Sequence, residues 1–150
     1  ALQQLNYTTG SGGYTNSTTP SIWPSKGVIT SPYGTRVDPV TGAASAFHEG
    51  VDIADDYGTP IVATAAGTVT FAGYTEGGYG NLVEIDHGNG FVTRYGHNSA
   101  VLVTPGMTVK QGQVIALMGS TGKSTGAHVH YEVRINGSAV DPMVFLPISN

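Results

Sequence analysis

Cysteine is absent from this chain of 150 residues. A disulfide framework, a thiolate metal site and a cysteine nucleophile are therefore all excluded. Basic residues are also scarce, since six lysines and arginines against ten acidic residues leave a formal net charge of −4. This balance lacks the electrostatic footprint of a nucleic-acid-binding protein and the polybasic patch of a membrane-surface protein. Any metal site must use histidine and carboxylate ligands, and we expect no nucleic-acid partner.

Long apolar runs are missing as well. The sequence contains neither an apolar stretch long enough to span a membrane nor a signal peptide. If the protein is exported, we expect this sequence to be a mature or excised form. A chain of this length can bury one hydrophobic core but not two, which predicts a single folded domain.

Glycine and β-branched residues are abundant. The chain has 22 glycines, and Val, Ile, Thr and Tyr recur in short runs separated by turn residues. Asn136-Gly137 is a strong two-residue hairpin signal between the apolar runs 133–135 and 138–140. The pattern predicts an all-β domain, built as a compact antiparallel β-barrel or sandwich with a loop-walled groove.

The first 21 residues differ in composition from the rest. They are rich in Gln, Asn, Thr, Ser and Gly and offer little apolar surface, which is typical of a flexible linker. We therefore assign residues 1–21 to a linker or N-terminal extension and residues 22–150 to the folded domain. The opening residues 1–5 (ALQQL) fit the tail of a preceding helix, so we expect an inhibitory or coiled-coil region upstream of residue 1.

His128 and His130 form the most informative pair in the sequence. They are separated by one residue in the run AHVHYEV, which predicts a β-strand with both imidazoles on the same face. The opposite face carries Val129, Tyr131 and Val133, which are apolar enough to pack in a core. A pair of histidines on a solvated face is the alternative interpretation.

His48 and Asp52 form a second candidate pair. An even spacing places both on one face of a strand, and the neighbouring Gly50, Val51 and Ile53 favour extended chain over helix. The segment narrowly misses the helical zinc motif His-Glu-x-x-His, so we assign no general-base role to the residue after His48. For Asp52, a turn cap or a salt-bridge partner is the alternative.

The remaining histidines are His97 and His87. His97 follows a strand and a glycine, which predicts a position at a sheet rim, with a core or capping role as the alternative. His87 lies in a turn, where a structural role is the better interpretation. A catalytic Zn²⁺ site takes three protein ligands and leaves a fourth position open. Neutral histidines nearby can then transfer protons or stabilise a developing oxyanion. Four histidines and one aspartate fit three ligands and two helpers.

Three ordered motifs resemble those of the lysostaphin-type (LytM-like) zinc endopeptidases: His48-x-x-x-Asp52, Tyr95-Gly96-His97 and His128-Val129-His130-Tyr131-Glu132. The similarity covers roughly residues 23 to 147. It implies a lysostaphin-like fold, zinc bound by His48, Asp52 and His130, and a catalytic pair formed by His97 and His128. One departure is Ala127, where many members have proline.

The resemblance also implies a substrate and a location. The family cleaves peptide bonds in peptidoglycan stems or cross-bridges, so we expect an extracytoplasmic protein of the cell wall, the periplasm or the secreted fraction, and a monomer. Two loops, 77–80 and 120–126, should wall the site because they offer backbone amides and hydroxyls but few bulky groups. Candidate substrate-binding residues are Tyr79, Ser124, Thr125 and Arg36.

Arg36 bears on the choice of bond. Its segment matches one common in relatives that act on directly cross-linked stems, which favours a D,D-endopeptidase, although a structural salt bridge is equally compatible. A glycyl-glycine endopeptidase acting on oligoglycine bridges is the first alternative. A non-catalytic activator of another wall hydrolase is less favoured, because all five expected residues are present. A biotinyl or lipoyl carrier would need Lys110 or Lys123 at a hairpin tip and would leave four histidines unexplained.

Overall fold

The computed structural model describes residues 14–37, 44–124 and 126–147, without the side chains of residues 36–37 and 44–46. These ranges contain strands and one short 3₁₀ turn but no α-helix. Within them, no helix is long and apolar enough to cross a membrane. The all-β fold expected from the sequence is therefore confirmed.

Thirteen strands make up the described fold, and a 3₁₀ turn at Pro142–Val144 follows the last of them. In chain order the strands are β1 Val28–Ser31, β2 Gly34–Val37, β3 Ala44–His48, β4 Val51–Ala54, β5 Pro60–Val62, β6 Gly67–Thr75, β7 Gly80–Gly88, β8 Phe91–Asn98, β9 Ala100–Val101, β10 Thr108–Val109, β11 Val114–Leu117, β12 His128–Ile135 and β13 Ser138–Val140.

One large antiparallel sheet carries most of the fold. Its strand order is β1-β4-β12-β8-β7-β6-β10, and β13 pairs with the far end of β12. A three-stranded sheet, β5-β11-β9, and the β2-β3 pair complete the structure. Strand β12 lies between β4 and β8, so the two sequence motifs that are farthest apart along the chain become direct neighbours.

The hydrophobic core lies on the face of β12 that the alternating pattern predicted. Val129, Tyr131 and Val133 are completely buried, together with Val51 and Ile53 of the neighbouring β4. The odd-numbered residues of β12 therefore anchor the strand, and the even-numbered residues point away from this core. That alternation leaves one face of the sheet available for polar chemistry.

Two hairpin turns fix the register of β7, β8, β12 and β13. Asn136 and Gly137 both have positive φ values, 51° and 88°, as a type I′ turn requires. Asn89 and Gly90 adopt the same geometry, with φ values of 53° and 83°. The hairpin predicted at Asn136-Gly137 is therefore confirmed.

The N-terminal segment contacts the domain over its described part. Thr15 and Gln111 exchange two backbone hydrogen bonds of 3.1 and 2.9 Å. The amide of Ala66 donates to the carbonyl oxygen of Ser17 at 2.7 Å, and the Gln111 side chain donates to the carbonyl oxygen of Thr19 at 3.2 Å. The boundary at residues 21/22 stays a prediction, but the chain is tied to the domain from Thr15 onward.

Candidate metal centre and groove

His48, Asp52 and His130 converge at the polar face of the large sheet. Asp52 and His130 are cross-strand partners in β4 and β12, and their Oδ1 and Nδ1 atoms lie 3.0 Å apart. The Nε2 atom of His48, at the end of β3, lies 3.2 Å from His130 Nδ1 and 3.3 Å from Asp52 Oδ1. One ligand atom from each residue thus lies within 4.8 Å of the others, so the three could hold a single metal ion.

In His48 and His130, the ring nitrogen that points away from the cluster contacts a hydrogen-bond acceptor. His48 Nδ1 donates to the carbonyl oxygen of Pro32 at 2.8 Å, and His130 Nε2 donates to Glu132 Oε2 at 2.8 Å. A carbonyl or carboxylate oxygen only accepts, so these nitrogens carry the protons. In the neutral form of each ring, the bare nitrogen is therefore the one that faces the other histidine and Asp52. When His130 is protonated, its Nδ1 donates to Asp52 Oδ1 instead.

The electrostatics of this cluster favour positive charge. Burial raises the pKa of the Asp52 carboxyl, but hydrogen bonds from His130 and His48 outweigh burial and hold that pKa well below its usual range. Burial lowers the pKa of His130, whereas hydrogen bonds to Asp52 and Glu132 raise it to about 9. The carboxylates therefore attract a cation to the centre, which a proton or a metal ion can supply.

His97 and His128 lie side by side next to the cluster, with ring centroids 4.6 Å apart. His97 Nδ1 donates to the carbonyl oxygen of Thr121 at 2.7 Å, and His128 Nδ1 donates to that of Gly126 at 2.9 Å. In the neutral form of each ring Nε2 is therefore the bare nitrogen, and that of His128 lies 3.8 Å from Asp52 Oδ1. Burial lowers the pKa of His97, which keeps its ring neutral near pH 7.

His97 also has an unusual backbone conformation. Its φ of 68° lies in the left-handed region, which is costly for a residue with a side chain. Hydrogen bonds hold it there, because its amide donates to the carbonyl oxygen of Tyr79 at 2.6 Å and its own carbonyl oxygen accepts from Thr121 at 3.3 Å. The strained conformation places the imidazole beside His128 rather than in the core.

An open groove of about 770 Å³ runs over the five residues of the site. The two predicted loops contribute to its walls through residues 77–79 and 122–124. They contact each other, since the Lys123 amide donates to the carbonyl oxygen of Gly78 at 3.0 Å. Its lining comprises Phe47, His48, Glu49, Asp52, Gly77, Gly78, Tyr79, His97, Gly122, Lys123, Ser124, His128, His130 and Glu132.

The candidate substrate-binding residues have different positions. Ser124 lies in the groove wall, and its Oγ is 3.3 Å from His128 Nδ1. Tyr79 also lines the groove, but its hydroxyl donates to Glu132 Oε2 at 2.7 Å. Arg36 lies in strand β2, and its side chain is outside the described part of the structure. Thr125 is outside the described residues altogether.

The sequence predicted no role for three charged residues that lie behind the site. Glu132 is only 1% exposed and contacts His130, while Arg94 and Arg134 surround it. The signal was present in the alternation, since Glu132 and Arg134 share the strand face of His128 and His130. Glu49 is half-exposed, and its Oε1 accepts from the Arg134 guanidinium at 2.7 Å. This ion pair is consistent with the prediction that Glu49 is not a general base.

Residues 46–142 match the sequence profile of peptidase family M23. The chain belongs to this family. Among M23 relatives, it is 49% identical over 120 residues to the DD-carboxypeptidase/endopeptidase Mpg of Neisseria meningitidis, a match that covers 79% of this chain and 27% of the relative. It is 40% identical over 125 residues to the murein hydrolase activator NlpD of Escherichia coli, covering 83% of this chain and 31% of that protein. The chain thus spans about a third or less of these curated relatives.

Solved structures agree with the family assignment. A zinc-containing peptidase from Vibrio cholerae is 36% identical with a TM-score of 0.75, over 87% of this chain and 40% of that one. The catalytic domain of lysostaphin from Staphylococcus simulans is 34% identical with a TM-score of 0.70, over 81% of this chain and 91% of that domain. The resemblance to the lysostaphin-type peptidases and the expected fold class are confirmed.

Proposed function

We propose that this M23 domain is a zinc-dependent endopeptidase that hydrolyses peptide bonds in peptidoglycan cross-links, outside the cytoplasm. The observation that carries the proposal is the convergence of His48, Asp52 and His130 at the floor of an open groove, with the bare Nε2 atoms of His97 and His128 beside them. A ligand set with a proton-transfer pair beside it, both open to a groove, is the arrangement that metal-assisted peptide hydrolysis requires.

The three proposed ligands fit zinc by donor type and spacing. Two imidazole nitrogens and one carboxylate oxygen are ligands that Zn²⁺ prefers, and three protein ligands leave a position open for catalysis. Ligands at about 2.0–2.1 Å from a tetrahedral Zn²⁺ are roughly 3.3 Å apart. The corresponding separations here are 3.0, 3.2 and 3.3 Å. When bound, zinc would supply Lewis acidity, which polarises a peptide carbonyl and lowers the pKa of water toward about 7.

His97 and His128 are the proposed proton-transfer residues. Each has its Nδ1 proton fixed on a loop carbonyl, so the bare Nε2 is the atom that can accept a proton in the groove. Once protonated, the same nitrogen can donate to the departing amine of the cleaved peptide. Because burial lowers the pKa of His97, its neutral form is available near pH 7.

The groove walls favour an extended peptide with small side chains. Residues 77–79 and 122–124 include three glycines and a serine, which expose backbone groups to a strand-like ligand. The hydroxyl of Tyr79 is engaged by Glu132, so we assign its ring rather than its hydroxyl to substrate contact. Ser124, Thr125 and Arg36 remain candidate contacts, Arg36 for a substrate carboxylate.

The proposed bond is a D,D-type stem cross-link. The 49% identity to a DD-carboxypeptidase/endopeptidase supports this choice. Cleavage of glycyl-glycine bridges is the alternative, because groove loops with three glycines and a serine also suit a peptide without side chains. A role as an activator of another hydrolase has the 40% identity to NlpD in its favour. We favour catalysis because both the ligand cluster and the histidine pair are assembled here.

The test offers the purified domain four substrates in parallel: directly cross-linked muropeptide dimers, pentaglycine, casein and intact walls. We expect the dimers to be cut and a chelator to stop the reaction, with activity restored by zinc. Cleavage of pentaglycine alone would reverse only the choice of bond. No cleavage of any wall substrate, together with stimulation of a separate wall hydrolase, would replace the enzyme by an activator.

A further inference from the structure

Glu132 is a buried carboxylate directly behind the metal centre. The residue is only 1% exposed, and both of its carboxylate oxygens accept hydrogen bonds from neighbouring residues. Oε2 accepts from His130 Nε2 at 2.8 Å and from the Tyr79 hydroxyl at 2.7 Å, and Oε1 accepts from Arg134 Nε at 2.8 Å. Burial of an ionised carboxylate is costly unless donors of this kind compensate it, so a functional reason for its position is expected.

The contact between Glu132 and His130 determines which nitrogen of His130 is bare. An ionised carboxylate has no proton to donate, so His130 Nε2 must carry one. In the neutral ring, Nδ1 then presents its lone pair toward Asp52 Oδ1 and His48 Nε2. The opposite tautomer would place a proton on the atom proposed to bind the metal.

Register across three strands holds Glu132 in this position. Glu132, Arg94 and Glu84 are successive partners in β12, β8 and β7. Arg94 Nε donates to Glu84 Oε2 at 2.7 Å, and its NH1 donates to the Tyr79 hydroxyl at 3.1 Å. Arg94 therefore supports only the Tyr79 hydroxyl, one of three donors to Glu132, while His130 and Arg134 bind the carboxylate without it.

Gly96 makes room for this arrangement. It is the cross-strand partner of His130 in β8. A Cβ atom at Gly96 would lie 3.1 Å from Tyr79 Cδ1 and 3.6 Å from His130 Cβ. The absence of a side chain lets the Tyr79 ring approach His130, with ring centroids 5.8 Å apart, and reach Glu132 with its hydroxyl.

We propose that Glu132 is a positioning residue that holds His130 in the tautomer with a bare Nδ1, with Tyr79 and Arg134 holding Glu132 in turn. This inference rests on the zinc site of the proposed function, but not on the identity of the substrate. Partners behind a metal-bound histidine fix its orientation and raise its basicity, and their loss typically weakens metal binding by about 10–100-fold.

The test compares Glu132→Gln with Glu84→Gln. Both substitutions remove a carboxylate that accepts from an arginine of this network, but only Glu132 contacts His130. In Glu132→Gln, the amide either keeps its oxygen on His130 and turns its NH₂ toward Arg134, or turns its NH₂ toward His130 and favours the wrong tautomer. Zinc affinity, measured by competition with a chelator, should fall about 10–100-fold in Glu132→Gln and stay within about twofold in Glu84→Gln.

Two further measurements separate positioning from folding. Thermal unfolding of the metal-free variants reports the fold, and the visible spectrum of the Co²⁺-substituted protein should change in Glu132→Gln but not in Glu84→Gln. Tyr79→Phe removes one donor to Glu132 and should weaken zinc binding by less. If Glu132→Gln does not fold, Tyr79→Phe decides, and wild-type zinc affinity in that variant overturns the proposal.

Wild-type affinity in a folded Glu132→Gln protein also overturns the proposal, as does an equal loss in Glu84→Gln. Because zinc affinity is measured without substrate, the result is independent of wall cleavage. Weak zinc binding in Glu132→Gln beside a wild-type protein that cuts no wall substrate would remove the proposed function and leave the positioning role intact.

Discussion

His130 and Asp52 are direct cross-strand partners, and their Nδ1 and Oδ1 atoms lie 3.0 Å apart although 78 positions separate them in the sequence. The sheet register therefore builds two of the three proposed metal ligands into one row. His48 joins them from β3, where its Nδ1 is held by the carbonyl oxygen of Pro32. The predictions below follow from this geometry and from its supporting contacts.

Loss of a proposed ligand should remove the metal. His48→Ala and His130→Ala each delete one of three donors, so stoichiometric zinc after dialysis should fall to a small fraction of the wild-type content. His128→Ala is the matched control, because His128 lies on the same face of β12 but belongs to the other pair. Full zinc occupancy in either ligand variant would contradict the assignment.

The proton-transfer pair should behave in the opposite way. His97→Ala and His128→Ala should retain zinc and the fold, and should lose about 10²–10⁴-fold in turnover, the usual contribution of general acid–base catalysis. Burial lowers the pKa of His97, so the acid limb of the wild-type pH–rate profile should lie below the ordinary histidine range. Near-normal turnover in both zinc-loaded variants would show that the roles are misassigned.

Gly122 should be needed for the contact between the two loops of the groove, 77–80 and 120–126. Its φ is +74°, and a Cβ there would collide with the backbone of Gly80 and Gly78. Gly122→Ala should cost about 1–3 kcal/mol of unfolding free energy and lower kcat/KM by at least about tenfold, because misplacing a wall disturbs substrate positioning. Gly77→Ala is the control, because a Cβ at Gly77, in the neighbouring loop of the groove, would meet open space. Equal effects of both substitutions would mean that the wall contact is unimportant.

Residues 15–21 of the N-terminal segment should contribute to the stability of the domain. Residues 15–17 make three backbone hydrogen bonds with Gln111 and Ala66, each worth about 0.5–1.5 kcal/mol. Deleting residues 1–21 should therefore lower the urea unfolding free energy by about 2–4 kcal/mol relative to deleting residues 1–13. If the longer deletion is as stable as the shorter one, the linker assignment for residues 1–21 holds for folding as well as for composition.

His87 should make the domain sensitive to acid. It is buried, its Nδ1 donates to the carbonyl oxygen of Ala66 at 2.8 Å, and its Nε2 lies 2.7 Å from Thr93 Oγ1. Burial lowers the pKa of His87 below the ordinary histidine value of about 6.5. Below pH 6.5 the unfolded chain therefore binds a proton that the folded chain excludes, and stability falls as the pH falls toward the folded pKa.

The measurement for His87 is the unfolding free energy of wild type and His87→Gln between pH 7.5 and pH 5 (~0.5-unit steps suffice to resolve a histidine titration). The variant lacks the titrating ring, so its stability relative to wild type should improve as the pH falls. Acid effects on the metal centre are common to both proteins and cancel in the difference. A difference that does not change with pH would mean that His87 is not excluded from protonation.

The sequence alone determined the elements whose physics is local. Alternation in β12 separated Val129, Tyr131 and Val133 from the two histidines, because a strand places successive side chains on opposite faces. Asn136-Gly137 determined a hairpin because both of its residues must adopt positive φ. The three spaced motifs predicted membership of the lysostaphin-type family, which the comparisons confirm, and five candidate site residues, whose roles stay a prediction.

Only the tertiary structure decided how those residues meet and what supports them. The pairing of His130 with Asp52, and of Glu132 with Arg94, depends on the register of β12 between β4 and β8, which no single segment encodes. Alternation places Glu132 on the strand face of His130, but it does not predict that the carboxylate is buried or which donors it contacts, since a charged residue in a strand usually faces solvent. The pairing of Thr15 with Gln111 is likewise not encoded locally, because the partner that satisfies its backbone groups lies 96 positions away in the sequence.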